Sequence, residues 1–313
     1  MLKLILYRLV MAIPILIAVT MIAIILIGFA PGNAAFTILG SSATLEQVHE
    51  LEHKLGLDLP WYEQWFRYVA GLFTGNLGDS YVNGAHVATV LGQRLPVTLW
   101  LVGLSTIGSA ILGIALGTIS AIRQGAWGKA VDVIAMLGLA IPGFWLALAL
   151  VSLFAVDLHW LPSLGYIDPT KNLGQWMTHL ILPVVALSLG GFSVIAKTTR
   201  DAVLDVQSRD FIRTLRANGV SRRSLLFKHV SKNAGVNIVT VISLTFITGL
   251  TASVFIESVF SYPGLGSEAS ASSLSGDIPM VEGVALYFTV LVIIVNVVID
   301  IAYGLLNPKV RTA

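Results

Sequence analysis

The chain contains no cysteine, and only 12% of its 313 residues are charged. Without cysteine there is no disulfide, no thiolate metal centre and no cysteine nucleophile. Soluble domains carry about 25% charged residues, so the shortage of charge excludes an ordinary soluble fold. No G-x-x-x-x-G-K-[ST] stretch occurs, which excludes P-loop nucleotide binding by this chain. Internal repeats and low-complexity linkers are missing as well, so the chain reads as one membrane domain with a small external cap. What it has in abundance is apolar residues, 56% of the total.

A bilayer core needs roughly 20 consecutive apolar residues per helix. Six stretches qualify: Leu9–Ala30, Val97–Ile119, Ile134–Val156, Trp176–Ile195, Val236–Ile256 and Val284–Leu305. They are apolar throughout, without period-2 alternation, which favours helices over barrel strands. The first follows Lys3 and Arg8 and precedes "APGNAA", a pattern shared with signal peptides. It is too long for a typical h-region and reads as a retained helix. The expected fold is therefore an all-α membrane protein with six transmembrane helices. Its parts are residues 1–30 with the first helix, an extracytoplasmic cap region 31–95, and a core 96–313 with a cytoplasmic loop 197–234.

Basic residues set the orientation. Placing the N-terminus, the turn at Arg123–Lys129, the 197–233 loop and the tail on one side leaves only four of the 19 Lys and Arg on the other. Those four are Lys54, Arg67, Arg94 and Lys171. Both termini are expected to be cytoplasmic. In the cap, "WYEQWFRYVAGLF" (Trp61–Phe73) mixes aromatics with polar groups. It suits either a helix at the headgroup level or an ordinary packed loop helix.

Few groups invite chemistry. "HELEH" (His49–His53) matches the H-E-x-x-H zinc-protease pattern, with Glu50 in the place of a general base. No third ligand is evident, and the leucines at 45, 51, 55 and 57 also fit a solvated helix. Titratable groups in or beside spans are expensive and mark function or pairing. Here they are Asp132, His179, Glu257 and Asp300. Asp132 and Asp300 lie near cytoplasmic ends, where pairing with Lys or Arg is expected. His179, near Pro183, is expected to be hydrogen-bonded within the protein. Glu257, following the fifth span, is the candidate for a polar contact at an outer gate. No pair of acids lies deep in the bilayer, so a secondary carrier lacks its usual proton relay.

The most basic stretch, "RTLRANGVSRRSLLFKHVSKN" (Arg213–Asn233), sits between two apolar runs. Phe211, Ile212 and Leu215 recur at helical spacing, Gly219 suits the C′ position, and Ser221 can cap a second helix carrying Leu225, Leu226 and Val230. A DNA-binding helix-turn-helix shares this outline, but a short loop tethered to the bilayer at both ends cannot lie along a duplex, so no nucleic acid is expected. A positive anchor on anionic lipid explains the charge but not the caps or the apolar stripes. A docking hairpin that fits a protein groove explains all three.

"DFIRTLRANGVSRRSLLFKHVSKNA" (Asp210–Ala234) is similar to the cytoplasmic coupling loop of the bacterial dipeptide and oligopeptide permease B family of ABC importers. "MLKLILYRLVMAIPILIAVTMIAIILIGFAPGN", "LGLDLPWYEQWFRYVAGLFTGNLGDS", "ESVFSYPGLG" and "GDIPMVEGVALYFTVLVIIVNVVIDIAYGLLNPKVR" extend the likeness, in order, over essentially the whole chain. Leu215 departs from it, standing where the family usually has a small residue, as does Asn237, where proline is usual. The resemblance implies a permease subunit of a bacterial inner-membrane importer, not itself an enzyme. Its implied partners are a second homologous permease, two ABC ATPases that bind ATP and Mg, and an extracytoplasmic solute-binding protein, with membrane lipid around it. This chain would hold no cofactor, catalytic group or metal. The implied cargo is a di- or oligopeptide, with nickel chelates, glutathione and oligosaccharides as the family's other substrates. By the same resemblance the ATPase side involves Asp210, Arg213, Thr214, Ala217, Gly219, Ser221, Arg222, Arg223, His229 and Asn233. The binding-protein side involves Glu257, Tyr262, Pro263, Gly264 and Gly266.

Overall fold

The computed structural model describes residues 2–28, 34–40, 42–123 and 125–306. The "APGN" that closes the first expected span and the tail from 307 onward lie outside the described residues. In chain order the helices are α1 (Leu2–Ile27), α2 (Ala34–Leu39), α3 (Leu45–Leu55), α4 (Trp61–Phe73), α5 (Val87–Ile122), α6 (Ala126–Ala140) and α7 (Gly143–Leu150). After these come α8 (Leu173–Ser208), α9 (Asp210–Ala217), α10 (Arg222–Ser224), α11 (Ser231–Phe260), α12 (Leu265–Ser275) and α13 (Ile278–Leu306). Wider π turns continue α7 over Val151–Asp157 and join α10 to α11 over Leu225–Val230. Among the described residues the only bridge pairing is Asp79 with His86.

Five of the six expected spans are single helices: α1, α5, α8, α10 with α11, and α13. The third is broken. The helices on either side of Ile141 meet at 95°, because Pro142 has no N–H and its ring disfavours helical backbone in the residue before it. Ile141 accordingly adopts an extended ψ of 118°. Several helices also outrun their apolar stretches. α5 starts at Val87 rather than near Val97, and α8 continues past Ile195 to Ser208, since helical hydrogen bonding does not stop where lipid does.

The chain divides into two compact units. The first comprises residues 100–261 and the end of α13. In it α6, α7 and α11 pack on α8. α5 approaches α8 through glycines: a Cβ on Gly113 would stand 2.8 Å from Ile195 Cγ2, and one on Gly117 2.9 Å from Thr199 Cβ. Small residues at this spacing let helices meet in lipid, where packing rather than the hydrophobic effect holds them. Ser109 Oγ donates to the Ser188 carbonyl at 2.8 Å, a cross-helix bond of the same kind.

The second unit comprises residues 2–99 and 262–294. Here Asp277 gathers the 80–81 turn, accepting from Ser80 Oγ at 2.5 Å and from the Tyr81 N–H at 3.1 Å. Arg94 on α5 pairs with Glu268 on α12 at 2.6 Å. α4 packs on α1, and Trp65 Nε1 donates to Thr20 Oγ1 at 3.1 Å. Thr20 lies inside the apolar window Leu6–Leu26, about 9 Å from its end at 1.5 Å per residue. That bond ties α4 to the apolar helix α1, while Trp61, Tyr62, Phe66 and Phe73 remain exposed on the unit. Of the two readings of "WYEQWFRYVAGLF", the geometry favours the headgroup-level helix. A nitroxide on Phe66→Cys, unique in this cysteine-free chain, should relax more with oxygen than with an aqueous nickel chelate. The reverse ranking would place α4 in water.

Candidate functional site

The basic hairpin is built on its caps. α9 ends in a Schellman turn: the Gly219 N–H donates to the Arg216 carbonyl at 3.1 Å and the Val220 N–H to the Leu215 carbonyl at 3.1 Å. Gly219 has φ +79°, a left-handed conformation that suits glycine. Ser221 then caps the next helix, its Oγ accepting from the Ser224 N–H at 3.3 Å. That helix is not a separate arm. Through the π turn it runs without a break into the fifth span, so movement of the hairpin is movement of a membrane helix.

The apolar stripes are occupied by the chain itself, not left for a partner's groove as their pattern suggested. Ile212, Leu225 and Val230 bury themselves in one cluster with Ala121 of α5, Ala202, Val203 and Val206 of α8, and Ala234 of α11. Leu215, larger than the residue usual there, packs on the edge of the same cluster beside Val220. What remains outside is aromatic and basic. Phe227 is 70% exposed, beside the exposed Arg216, Arg222, Arg223 and Lys228, and Arg213 on α9 is exposed as well. A cavity of about 410 Å³ opens here between Gln207, Arg216, Arg222, Arg223 and Phe227. A shallow surface depression is lined by Ser221, Arg223, Ser224, Phe227 and Lys228. Asp210 opens α9, where it lies 3.6 Å from Arg213 and its carbonyl accepts from Thr214 Oγ1 at 3.1 Å; Ala217 closes the helix. Further on, Asn233 Nδ2 donates to the His229 carbonyl at 2.7 Å. Phe227 was not singled out by sequence; its signal was a phenylalanine off the buried stripe, between cations.

The remaining candidates separate. Asp132 forms an ion pair with Arg200 at 2.9 Å, tying α6 to α8. His179 Nδ1 lies 2.7 Å from the Gln175 carbonyl, a bond within one helix turn. Asp300 is half-buried on α13. Glu257 follows the apolar stretch of the fifth span while still inside α11, and is fully buried in the first unit. The helix persists past the apolar stretch and ends at Ser261, whose φ of 56° is left-handed. Tyr262, Pro263, Gly264 and Gly266 belong to the second unit. There Gly264 caps α12, and Thr98 Oγ1 accepts from the Leu265 N–H at 2.8 Å. Of these four, only Pro263 is exposed.

"HELEH" lies on α3, which has a capping box between Thr44 and Gln47 and a left-handed Gly56 at its end. His49 bonds Glu52 at 3.1 Å, and Lys54 bonds Glu50 at 2.6 Å, holding that carboxyl below its usual range. Among the described residues no three His, Cys, Asp or Glu side chains are grouped to hold a metal. The zinc-protease alternative has no support.

Within the first unit a cavity of about 250 Å³ sits at the break between α6 and α7. Phe144, Gly190, Gly191, Thr245, Thr248 and Phe255 contribute to its walls. Small residues, threonine hydroxyls and two phenylalanines make a lining that favours no charge.

A family described as "Binding-protein-dependent transport system inner membrane component" matches residues 113–312, and its companion N-terminal family matches residues 1–102. The chain belongs to this family of ABC importer inner-membrane permeases. It is 37% identical over 98% of both chains to a Brucella abortus (strain 2308) protein named "Putative peptide transport system permease protein". It is also 34% identical over 99% of both chains to the glutathione transport system permease of Escherichia coli O6:H1. Among solved structures, the inward-facing MetNI methionine ABC transporter superposes with a TM-score of 0.58 at 19% identity, covering 70% of this chain and 96% of that one. That likeness speaks for the fold alone.

Proposed function

We propose that this chain forms half of a translocation pathway for small peptides and couples it to a cytoplasmic ATPase through the 210–233 hairpin. The observation that carries the reading is the exposed Phe227 among arginines, on a hairpin whose own apolar stripe is already buried. An exposed aromatic beside arginines is the composition of an interface anchor, to be desolvated by the partner. Because the hairpin helix continues into α11, a groove that shifts with nucleotide state would shift a pathway helix, which is the differential contact that coupling requires.

The cargo follows the relatives, named for peptides and for glutathione, itself a small peptide derivative. In this reading the complex holds a second permease, two ATPases that bind ATP and Mg, and an external binding protein that meets the Tyr262–Gly266 side. The hairpin and both termini face the cytoplasm, as the distribution of basic residues demands. This chain carries no cofactor of its own.

Phe227→Ala is the test. Co-purified ATPase should fall at least about tenfold, the scale of a strong interface anchor, with ATP-dependent uptake of a labelled tripeptide falling in parallel. Since Phe227 is exposed within the chain, thermal unfolding of the isolated subunit should not change. Full retention of the ATPase would remove the hairpin from the coupling role.

A further inference from the structure

The second unit holds a cavity of about 220 Å³ that the transport reading does not use. Its walls include Ile24 of α1, Leu55 and Leu59 around the end of α3, Tyr68 of α4, and Ile278 and Glu282 of α13. Glu282 is 2% exposed, and its Oε1 has no hydrogen-bond partner. The buried Tyr68 hydroxyl has none either. Burial, and then the nearby Glu282, push the Tyr68 phenol up, so it stays neutral.

Two unsatisfied oxygens on residues that line one cavity bear on what would fill it. An ionised carboxylate only accepts hydrogen bonds, and a phenol oxygen can accept one as well, so a donor-rich guest satisfies both. A cationic guest gains further, because an unpaired carboxyl gives up its charge on burial and a bound cation restores the ion pair. A divalent cation is a poor fit. Calcium takes six to eight oxygen ligands, whereas among the described residues no three His, Cys, Asp or Glu are grouped. An alkylammonium offers three donors and one charge, and the aliphatic walls match an apolar body. Arg67 also lines the cavity and is exposed, a match for a carboxylate at the mouth rather than in the depth. Asp79, likewise on the wall, is already engaged by His86 at 2.5 Å. The volume is below the roughly 300–1,000 Å³ of drug-sized sites, so one residue-sized body fits and a whole peptide does not.

We propose that this cavity binds a primary ammonium group on a small apolar body, the chemistry shared by a free apolar amine and the N-terminal residue of a peptide. In naming a peptide N-terminus the proposal rests on the peptide-transport reading. Binding to the purified chain, without ATPase or uptake, tests the two separately.

The probes are leucinamide, N-acetyl-leucinamide and the tripeptide Leu-Ala-Ala, titrated by calorimetry into the full chain in nanodiscs. Leucinamide should bind saturably, and N-acetyl-leucinamide at least about tenfold more weakly, because a charge-assisted bond is lost. Glu282→Gln should weaken leucinamide about tenfold with thermal stability kept or raised. Tyr68→Phe should weaken it several-fold and serves as the second variant. Tighter binding of Leu-Ala-Ala than of leucinamide would assign the ammonium to a peptide, and equal binding to a free amine. Either result sustains the ammonium site. Saturable binding that acetylation or both substitutions leave unchanged, or no binding at all, overturns it.

Discussion

Gly219→Pro is expected to lower ATP-driven uptake at least tenfold while all six spans remain inserted. Proline holds φ near −65°, whereas Gly219 sits at +79°, so the turn cannot keep its shape. The substitution also removes the N–H that donates to the Arg216 carbonyl, one of the two bonds that close α9. With the exit angle changed, Ser221 no longer caps the next helix in place, and Phe227 moves with it. Folding should survive, because Ile212 and Leu225 lie on opposite sides of the turn and are each buried against α5 and α8. Alanine is the informative control. No atom lies within 4 Å of a Cβ at Gly219, so Gly219→Ala meets only the backbone penalty of left-handed geometry, about 1 kcal/mol, and should retain most uptake. Replacing Arg222 and Arg223 together with alanine should slow association more than it weakens the complex, since rim charges act mainly on encounter. ATPase co-purification, stimulated hydrolysis and uptake, measured on the three variants, check the ranking. Normal coupling in Gly219→Pro would sink the docking idea.

The spans were legible in sequence because lipid imposes one composition on every residue of a stretch, and no tertiary partner is needed to read it. The hairpin caps were legible for a similar reason: Gly219 and Ser221 act on neighbours within five residues. The break at Ile141–Pro142 was written in the chain as well, yet a count of apolar residues is blind to a missing N–H. Other features depend on distant partners. That Leu225 and Val230 would bury against Ala121, Ala202 and Val206 required knowing which helices meet. That α11 runs on past Glu257 was not legible, because hydropathy marks where an apolar stretch ends, not where a helix ends. Glu282 stands alone among apolar residues at the head of the last span, where sequence does not tell burial from exposure. Its burial depends on α1, α3 and α4, far away in sequence.

The lining of the cavity in the first unit allows a sharper test of the pathway, because two adjacent glycines on α8 face different surroundings. A Cβ on Gly190 meets nothing within 4 Å, and Gly190 lies on the cavity wall. A Cβ on Gly191 would overlap Thr245 Cγ2 and stand 3.0 Å from Ser109 Oγ. Gly191→Ala should therefore push α8 away from α11 and lower the unfolding temperature, at a cost of about 1–3 kcal/mol typical of overpacking. Gly190→Ala should be silent or slightly stabilising, since alanine favours a helix over glycine. Gly190→Trp places an indole in a space of about 250 Å³ without a clash at its Cβ. Expression, subunit assembly and basal ATP hydrolysis should stay near wild type; if the cargo passes this cavity one residue at a time, peptide uptake should fall at least tenfold, because the indole occupies that narrow space. Thermal unfolding and uptake on the three variants separate blockage from misfolding. A wild-type uptake rate in a folded, assembled Gly190→Trp complex would take this cavity off the cargo's path.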